Sequence, residues 1–185
     1  ETFSPLQVLT GTEAEGLAPK TRVVPAAAAV GSGWDKSRNA ETDRIWVEHR
    51  CVIPLSKYQQ RQVLDRARRK DPGLNLLRFL WVSTEKPDGR LKSRLCIQGS
   101  RDVEKGTIEV SSPTIGRESL RLVCWAVAHY GWRLRSGDVP TAFLRQDAGL
   151  FRREVYAYNP AGMEFGIVRL RKAVYGLGDA PYQWY

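Results

Sequence analysis

Three charged side chains stand where the local pattern would hold them firmly enough for chemistry. Asp138 ends a short alternating segment and precedes Pro140, and Lys92 and Arg94 stand two residues apart in another alternating segment. A carboxylate at the end of a strand lies where active sites of α/β sheets collect, and two cations on one strand face form a clamp for phosphate. Plain structural interpretations remain open: Asp138 as a helix cap and the two cations as the solvated face of an edge strand.

A β-hairpin must position the two cations. Residues 74–83 read LNLLRFLWVS, which is rich in large apolar residues, and residues 86–89 read KPDG, a strong turn signal. In residues 90–98, RLKSRLCIQ, Lys92 and Arg94 alternate with Ser93 and Leu95. The pattern therefore predicts a hairpin whose second strand projects both cations from the same face.

Helices and further strands surround this hairpin. Helical patterns run over residues 57–70 and 117–130, and the second has an apolar stripe typical of a core helix. We expect a short strand over 132–139 that ends at Asp138, a helix that begins at Pro140, and strand material over 153–158 and 167–175. Residues 1–45 show no sustained period and are interpreted as a linker or loosely held arm.

Composition narrows the function classes. The 185 residues are 42% hydrophobic and 26% charged, which is usual for a globular chain. No apolar run approaches the roughly 18 residues of a membrane-spanning helix, and three cysteines without a CxxC pair indicate a reducing compartment. Because the chain does not begin with Met and stops at Tyr185, we expect a fragment of a longer product.

The positive charge is concentrated in the part predicted to fold. The formal net charge is +9, residues 1–50 hold six basic and seven acidic residues, and residues 51–185 hold 23 basic and 13 acidic ones. A basic domain of this kind suits a polyanionic partner such as nucleic acid, although a soluble protein rich in arginine has the same balance.

Six blocks in a fixed order carry a family resemblance. They are KSRLCIQG (92–99), SPT (112–114), the helix at 117–130, GWRLRSGDVPTAFL (131–144), REVYAYNPAG (153–162) and LRKAVYGLGDAPYQWY (170–185). Together they resemble the reverse transcriptase domain of copia-type retrotransposons over residues 79–185. The resemblance implies an α+β fold, a partial polymerase fingers–palm arrangement with an antiparallel sheet, packed helices and a flexible N-terminal arm. Residues 46–185 would form the fingers and first half of the palm, without the second, Asp-Asp, metal-binding motif.

The resemblance assigns a catalytic role to Asp138. It would be the first catalytic carboxylate of the palm, and with the main-chain carbonyl of Val139 it would hold Mg²⁺, which prefers hard oxygen ligands and substrate phosphates. Phe143 would lie under the sugar of the incoming nucleotide, where its ring would clash with a 2′-hydroxyl. The alternative for Phe143 is an ordinary core residue.

The resemblance also assigns the nucleotide-binding residues. Lys92 and Arg94 match the basic pair that would hold the triphosphate, and Lys86 is a weaker candidate for the same task. Tyr175 and Gly176 fall near the loop that presses on template and nucleotide, where glycine lets the backbone come close.

The implied function is RNA-directed DNA synthesis within a Pol polyprotein, by two-metal nucleotidyl transfer to a primer 3′-hydroxyl. The implied partners are an RNA template, a DNA primer, deoxynucleoside triphosphates, and the integrase and ribonuclease H parts of the polyprotein. The implied location is a cytoplasmic retrotransposon particle or the nucleus, and no membrane partner is implied. The alternative is a catalytically dead, nucleic-acid-binding remnant of a decayed element. Departures from the family text include Pro140 for Lys, a small Gly137, and Gly178 and Asp179 for Lys and Gln. The replacement of Lys by Gly178 predicts one cation fewer near the nucleotide.

Overall fold

The computed structural model describes residues 20–160, 163 and 166–185. The six strands of this part are β1 Arg22–Val24, β2 Val52–Pro54, β3 Asn75–Glu85, β4 Leu91–Ile97, β5 Val155–Tyr158 and β6 Ile167–Leu170. The four helices are α1 Ser32–Asp43, α2 Lys57–Arg68, α3 Arg117–Tyr130 and α4 Ala180–Trp184, with a π-helical turn over Arg44–Glu48 and 3₁₀ turns over Gly99–Arg101 and Ala142–Leu144. No helix in these ranges is long and apolar enough to cross a membrane.

The long strand β3 joins two parts of one sheet. Its first residues pair in parallel with β5, whereas its later residues pair antiparallel with β4 and β1. β5 continues antiparallel to β6, and β6 to β2. The structure is therefore a mix of one sheet and four helices, and the sheet is antiparallel as expected except for the parallel β3–β5 pairing. Its main core includes Leu77, Leu95, Val155 and Val168, none more than 2% exposed.

The predicted hairpin is confirmed as β3 and β4. The amide of Gly89 donates to the carbonyl of Lys86, and Gly89 has a φ of 78°, a left-handed conformation that glycine adopts without steric cost. Along β4, Ser93 is buried between the half-buried Lys92 and the exposed Arg94. The alternation in the sequence thus translates directly into a strand with one buried face.

The helix expected over residues 57–70 is confirmed as α2. Ser56 begins it with a capping box, in which the Gln59 amide donates to Ser56 Oγ at 3.3 Å and the Ser56 amide donates to Gln59 Oε1 at 2.9 Å. These two bonds satisfy backbone donors that a helix start leaves without partners. Val63 packs the helix against Tyr156 and Ile167 in a second, smaller core.

The loosely held arm predicted over residues 1–45 is not what the structure has over residues 20–45. β1 adds to the sheet there, and α1 packs against β4 with Trp34 only 7% exposed. α1 is mostly polar, so tertiary packing rather than an apolar stripe holds it, and no helical period shows in the sequence. Residues 1–19 lie outside the described residues.

The helix over 117–130 forms as expected, but its assignment to the core is wrong for the described structure. None of the 14 side chains of α3 is buried, and Leu120 and Tyr130 are 50% and 60% exposed. The apolar stripe is real, and no helix or strand of the described chain covers it. The strand expected over 132–139 is also absent from this structure, as is a full helix after Pro140, where only the 3₁₀ turn forms.

Arg153, two residues before β5, connects three acidic side chains. Its guanidinium lies 2.5 Å from Asp102, 2.6 Å from Glu104 and 2.9 Å from Asp179, and Asp102 also accepts from the Asn75 amide at 2.8 Å. Burial alone would lower the pKa of Arg153, but its hydrogen-bonded carboxylates outweigh burial and raise that pKa. The network fixes the 102–104 turn and the start of α4 to the start of β5.

The end of β4 and the 175–178 loop cross at two glycines. A Cβ atom at Gly99 would overlap the carbonyl oxygen of Gly176, and one at Gly176 would overlap the carbonyl oxygen of Ile97. The Ile97 amide donates to the Tyr175 carbonyl at 2.7 Å across this crossing. The loop therefore lies directly against the strand backbone, which only glycine permits.

Replacing Gly99 by Ala should destabilise the chain by about 1–3 kcal/mol, because backbone atoms must move to admit the methyl group. Gly106→Ala is the matched control, since nothing lies within 4 Å of a Cβ there. Urea unfolding of both variants measures the difference in the free energy of unfolding. Equal stability of the two variants would refute the close crossing.

Replacing Arg153 by Met should cost about 3–5 kcal/mol, since it leaves Asp102 and Asp179 buried without their cation. Arg152→Met, at the exposed neighbouring position, should change the free energy of unfolding little. Chemical denaturation of both variants provides the test, and a loss below about 1 kcal/mol for Arg153→Met would contradict the role of this network.

Candidate functional site

A cleft of about 350 Å³ lies between the end of α1, strand β4 and the loop after residue 137. Its walls bring together most of the residues singled out from the sequence. The lining residues are Glu41, Arg44, Lys92, Arg94, Asp138, Val139, Pro140, Thr141, Ala142, Phe143 and Tyr175.

Asp138 lies exposed at the rim of the cleft. Three residues on, Thr141 has a φ of 55°, which is uncommon for a β-branched residue. Its hydroxyl donates to the Pro140 carbonyl at 2.6 Å and lies 3.1 Å from Nε2 of His49. Burial lowers the pKa of His49, which favours the neutral ring that can donate from Nε2 to Thr141. His49 thus anchors the turn that follows Asp138, a role that no pattern in the sequence indicated.

Two aromatic rings form the floor of the cleft. The rings of Phe143 and Tyr175 meet edge to face with centroids 6.0 Å apart. Buried Gln146 joins their segments: its side-chain amide donates to the carbonyls of Phe143 and Ala173, and its Oε1 accepts from the Ala173 amide at 3.1 Å. Burial raises the pKa of the Tyr175 hydroxyl, and Glu41 adds to that shift.

Lys92 and Arg94 form one wall of the cleft, as the alternation along β4 required. Lys92 is half-buried and Arg94 is exposed. Burial, followed by the neighbouring cations Arg94 and Lys86, lowers the pKa of the Lys92 ammonium. An anion in the cleft would relieve this crowding of positive charge.

Two further charged residues in the cleft come from the segment interpreted as an arm. Arg44 lines the cleft, and one of its nitrogens lies 3.2 Å from Oε2 of Glu41, a side chain that is only 3% exposed. Glu41 lies on α1 and Arg44 begins the π-helical turn that follows it. A spacing of three residues brings two side chains together on one face of a helix, so this pair is typical of helical sequence. Arg44 is thus a third cation of the cleft, and its position depends on the helix that ends beside it.

Lys86 and Gly176 are placed differently from the other predicted residues. Lys86 lines a neighbouring groove between α1 and the hairpin, together with Lys92, and does not line the cleft. Gly176, with a φ of 95°, makes the close crossing with β4 directly after Tyr175. The expected close approach of the backbone is therefore present, and its partner is the end of β4.

The chemistry of two residues at the rim is compatible with part of a site for a hard cation. Asp138 and Val139 both line the cleft, and carboxylate and carbonyl oxygens are ligands that Mg²⁺ accepts, commonly together with substrate phosphates and water. Within residues 20–160, 163 and 166–185, no three His, Cys, Asp or Glu side chains are grouped to hold a metal. These residues thus suit part of a metal site.

Comparison with known proteins identifies the family to which the chain belongs. The family model described as reverse transcriptase (RNA-dependent DNA polymerase) matches residues 72–185, more than half of the chain. The chain therefore belongs to the reverse transcriptase family. The curated proteins that it resembles include Pol polyproteins of plant transposons. It is 34% identical over 125 residues both to the retrovirus-related Pol polyprotein from transposon TNT 1-94 of Nicotiana tabacum and to that from transposon RE2 of Arabidopsis thaliana.

The matched part is a small share of these relatives. The alignments cover 61% and 62% of this chain but only 9% and 8% of the tobacco and Arabidopsis polyproteins. No solved structure gives a significant match.

Proposed function

We propose that this chain forms the fingers and first half of the palm of a copia-type reverse transcriptase that extends a DNA primer on an RNA template. The observation that carries the proposal is the single cleft that joins Asp138 to Lys92, Arg94, Phe143 and Tyr175. A cleft lined by a carboxylate, basic side chains and aromatic rings suits a nucleoside triphosphate, whose bound cation, phosphates and sugar need different surroundings.

The Asp138 carboxylate and the Val139 carbonyl would hold Mg²⁺. When bound, such an ion neutralises phosphate charge and activates the primer 3′-hydroxyl. Two-ion catalysis needs further carboxylates, and the second carboxylate in the described cleft, Glu41, is buried beside Arg44. We therefore propose that the 185-residue chain is inactive by itself and contributes one of the carboxylates of a complete site.

The remaining residues of the cleft would bind and orient the nucleotide. Lys92 and Arg94, with Arg44 beside them, would neutralise the triphosphate, since positioning and charge neutralisation supply most of the catalysis in phosphoryl transfer. Tyr175, on the loop that Gly176 fixes to β4, would bear on the base and sugar. The RNA template and the integrase and ribonuclease H parts of a polyprotein are the proposed partners, within a retrotransposon particle or the nucleus.

Replacing Asp138 by Asn should abolish DNA synthesis in a longer reverse transcriptase that contains this sequence. We expect at least about a thousandfold loss, because a bound catalytic metal supplies several kcal/mol. Asp147→Asn is the matched control, since Asp147 is exposed nearby but lines a different cleft. Primer extension with Mg²⁺ and binding to an RNA–DNA duplex are measured for both variants. Retained synthesis by Asp138→Asn would disprove the metal assignment, whereas equal loss of duplex binding would indicate misfolding.

Replacing Phe143 by Val should relax the exclusion of ribonucleotides by at least about tenfold, or about 1.4 kcal/mol of discrimination, because the ring no longer meets the 2′-hydroxyl. Phe151→Val is the control for loss of an aromatic ring from the core, where Phe151 is 9% exposed. The readout is the ratio of kcat/KM for deoxynucleotides and ribonucleotides in the same longer enzyme. An unchanged ratio with only a loss of stability would leave Phe143 as an ordinary core residue.

A further inference from the structure

We propose that His49 is a positioning residue for nucleotidyl transfer, which holds the turn after Asp138 and so determines where that carboxylate lies in the cleft. The inference rests on the proposed function, and it gives the contact between His49 and Thr141 an effect on the rate of the reaction. His49 would touch neither the nucleotide nor the metal, and it would act through the turn alone.

The segment that carries Asp138 is weakly held on its N-terminal side. No strand of the described chain pairs with residues 132–139, and every residue from 128 to 140 is exposed. Thr141 is the first half-buried residue after this stretch. Within the described residues, the position of Asp138 therefore depends on the turn at Thr141, on its C-terminal side.

The backbone of Thr141 has a strained conformation. Its φ of 55° and ψ of 32° lie in the left-handed region, which is unfavourable for a β-branched residue. Residues held in such regions persist only where their surroundings impose the conformation, and they are concentrated at active sites. The contacts that impose this conformation lie three residues after Asp138, which indicates that they serve the position of its carboxylate.

Two side chains from different segments hold the turn. The Pro140 carbonyl accepts from the Thr141 hydroxyl at 2.6 Å and from Nε of Arg145 at 3.0 Å. Because the hydroxyl proton is directed to Pro140, the Thr141 oxygen accepts from Nε2–H of His49, 3.1 Å away. The same Nε2 lies 3.3 Å from Oε1 of Glu48. Both neighbours therefore select the tautomer of His49 that carries its proton on Nε2.

His49 also joins this turn to the basic side of the cleft. Its side chain is 10% exposed, and its backbone amide donates to the Arg44 carbonyl at 2.9 Å. Arg44 and Asp138 both line the cleft. His49 thus connects a cation proposed to neutralise phosphate with the turn that follows the proposed metal ligand. A misplacement of about 1 Å between reacting groups can cost about a hundredfold in rate.

The first test measures amide hydrogen exchange in the 185-residue chain, without metal or nucleotide. His49→Phe keeps a ring but removes the donor, whereas His49→Gln keeps an N–H donor. The amide of Leu144 bonds to the Thr141 carbonyl at 2.8 Å. We expect His49→Phe to speed its exchange by about tenfold, the effect of losing one hydrogen bond from a local structure, and His49→Gln to restore it. The Gln60 amide in α2 is the internal control and should not change.

The second test measures kinetics in a longer reverse transcriptase that contains this sequence. His49→Phe and Thr141→Val should each lower kcat by about tenfold to a hundredfold and leave the KM for deoxynucleotide nearly unchanged, since the basic wall is intact. The double variant should be no slower than the slower single variant, because both changes remove the same bond. His49→Gln should recover most of kcat. His129→Phe, at the exposed histidine of α3, is the matched control.

The outcomes separate this inference from the proposed function. Unchanged exchange of the Leu144 amide in His49→Phe, or an unchanged kcat in an enzyme that synthesises DNA, would overturn the positioning role and leave the proposed function in place. Faster exchange that includes Gln60 would also overturn it, because the substitution would then loosen the whole fold. If the parent enzyme made no DNA, the proposed function would fail, and the exchange comparison would still decide whether His49 holds the turn.

Discussion

The close crossing of two backbones at Gly99 and Gly176 is the constraint on which the cleft depends. The Ile97 amide bonds to the Tyr175 carbonyl there, so the loop carrying Tyr175 is fixed to the strand that carries Lys92 and Arg94. Gln146 then attaches the segment of Phe143 to the residues just before Tyr175. One backbone contact and one buried amide thus place the aromatic rings of Phe143 and Tyr175 against Lys92 and Arg94. The aromatic residues are more than 40 positions away from the two cations in the sequence.

Local patterns predicted the elements that local physics determines. The hairpin followed from alternation and a turn with glycine at a positive φ, and α2 from a serine cap with its glutamine three residues later. α3 has the bounds that its period indicated, because Glu118 lies in its first turn and Gly131 ends it in a left-handed conformation. Each of these signals operates within one or two turns of chain, so each is visible without knowledge of the tertiary structure.

Features that depend on distant partners were not predictable in the same way. The period of α3 shows that an apolar stripe exists but not what covers it, and residues 132–139 alternate without a neighbouring strand to pair with in the described structure. Helix α1 is polar and is held by packing on β4, so no local pattern indicated that Arg44 and Glu41 would line the cleft. The anchoring roles of His49 and Gln146 arise from bonds that span 92 and 27 residues, and no local pattern encodes such bonds.

The distribution of acidic residues explains how a chain with few of them keeps its cleft basic. Three carboxylates are engaged by the half-buried Arg153, and Glu41 is paired with Arg44. Asp179, which replaces a neutral residue of the family pattern, is 2% exposed and directed to Arg153. The family's loop cation is still missing at Gly178, but the added acid is paired with Arg153 inside the fold and does not line the cleft that contains Lys92 and Arg94. This substitution therefore changes the internal ion network and adds no negative charge to the lining of the cleft.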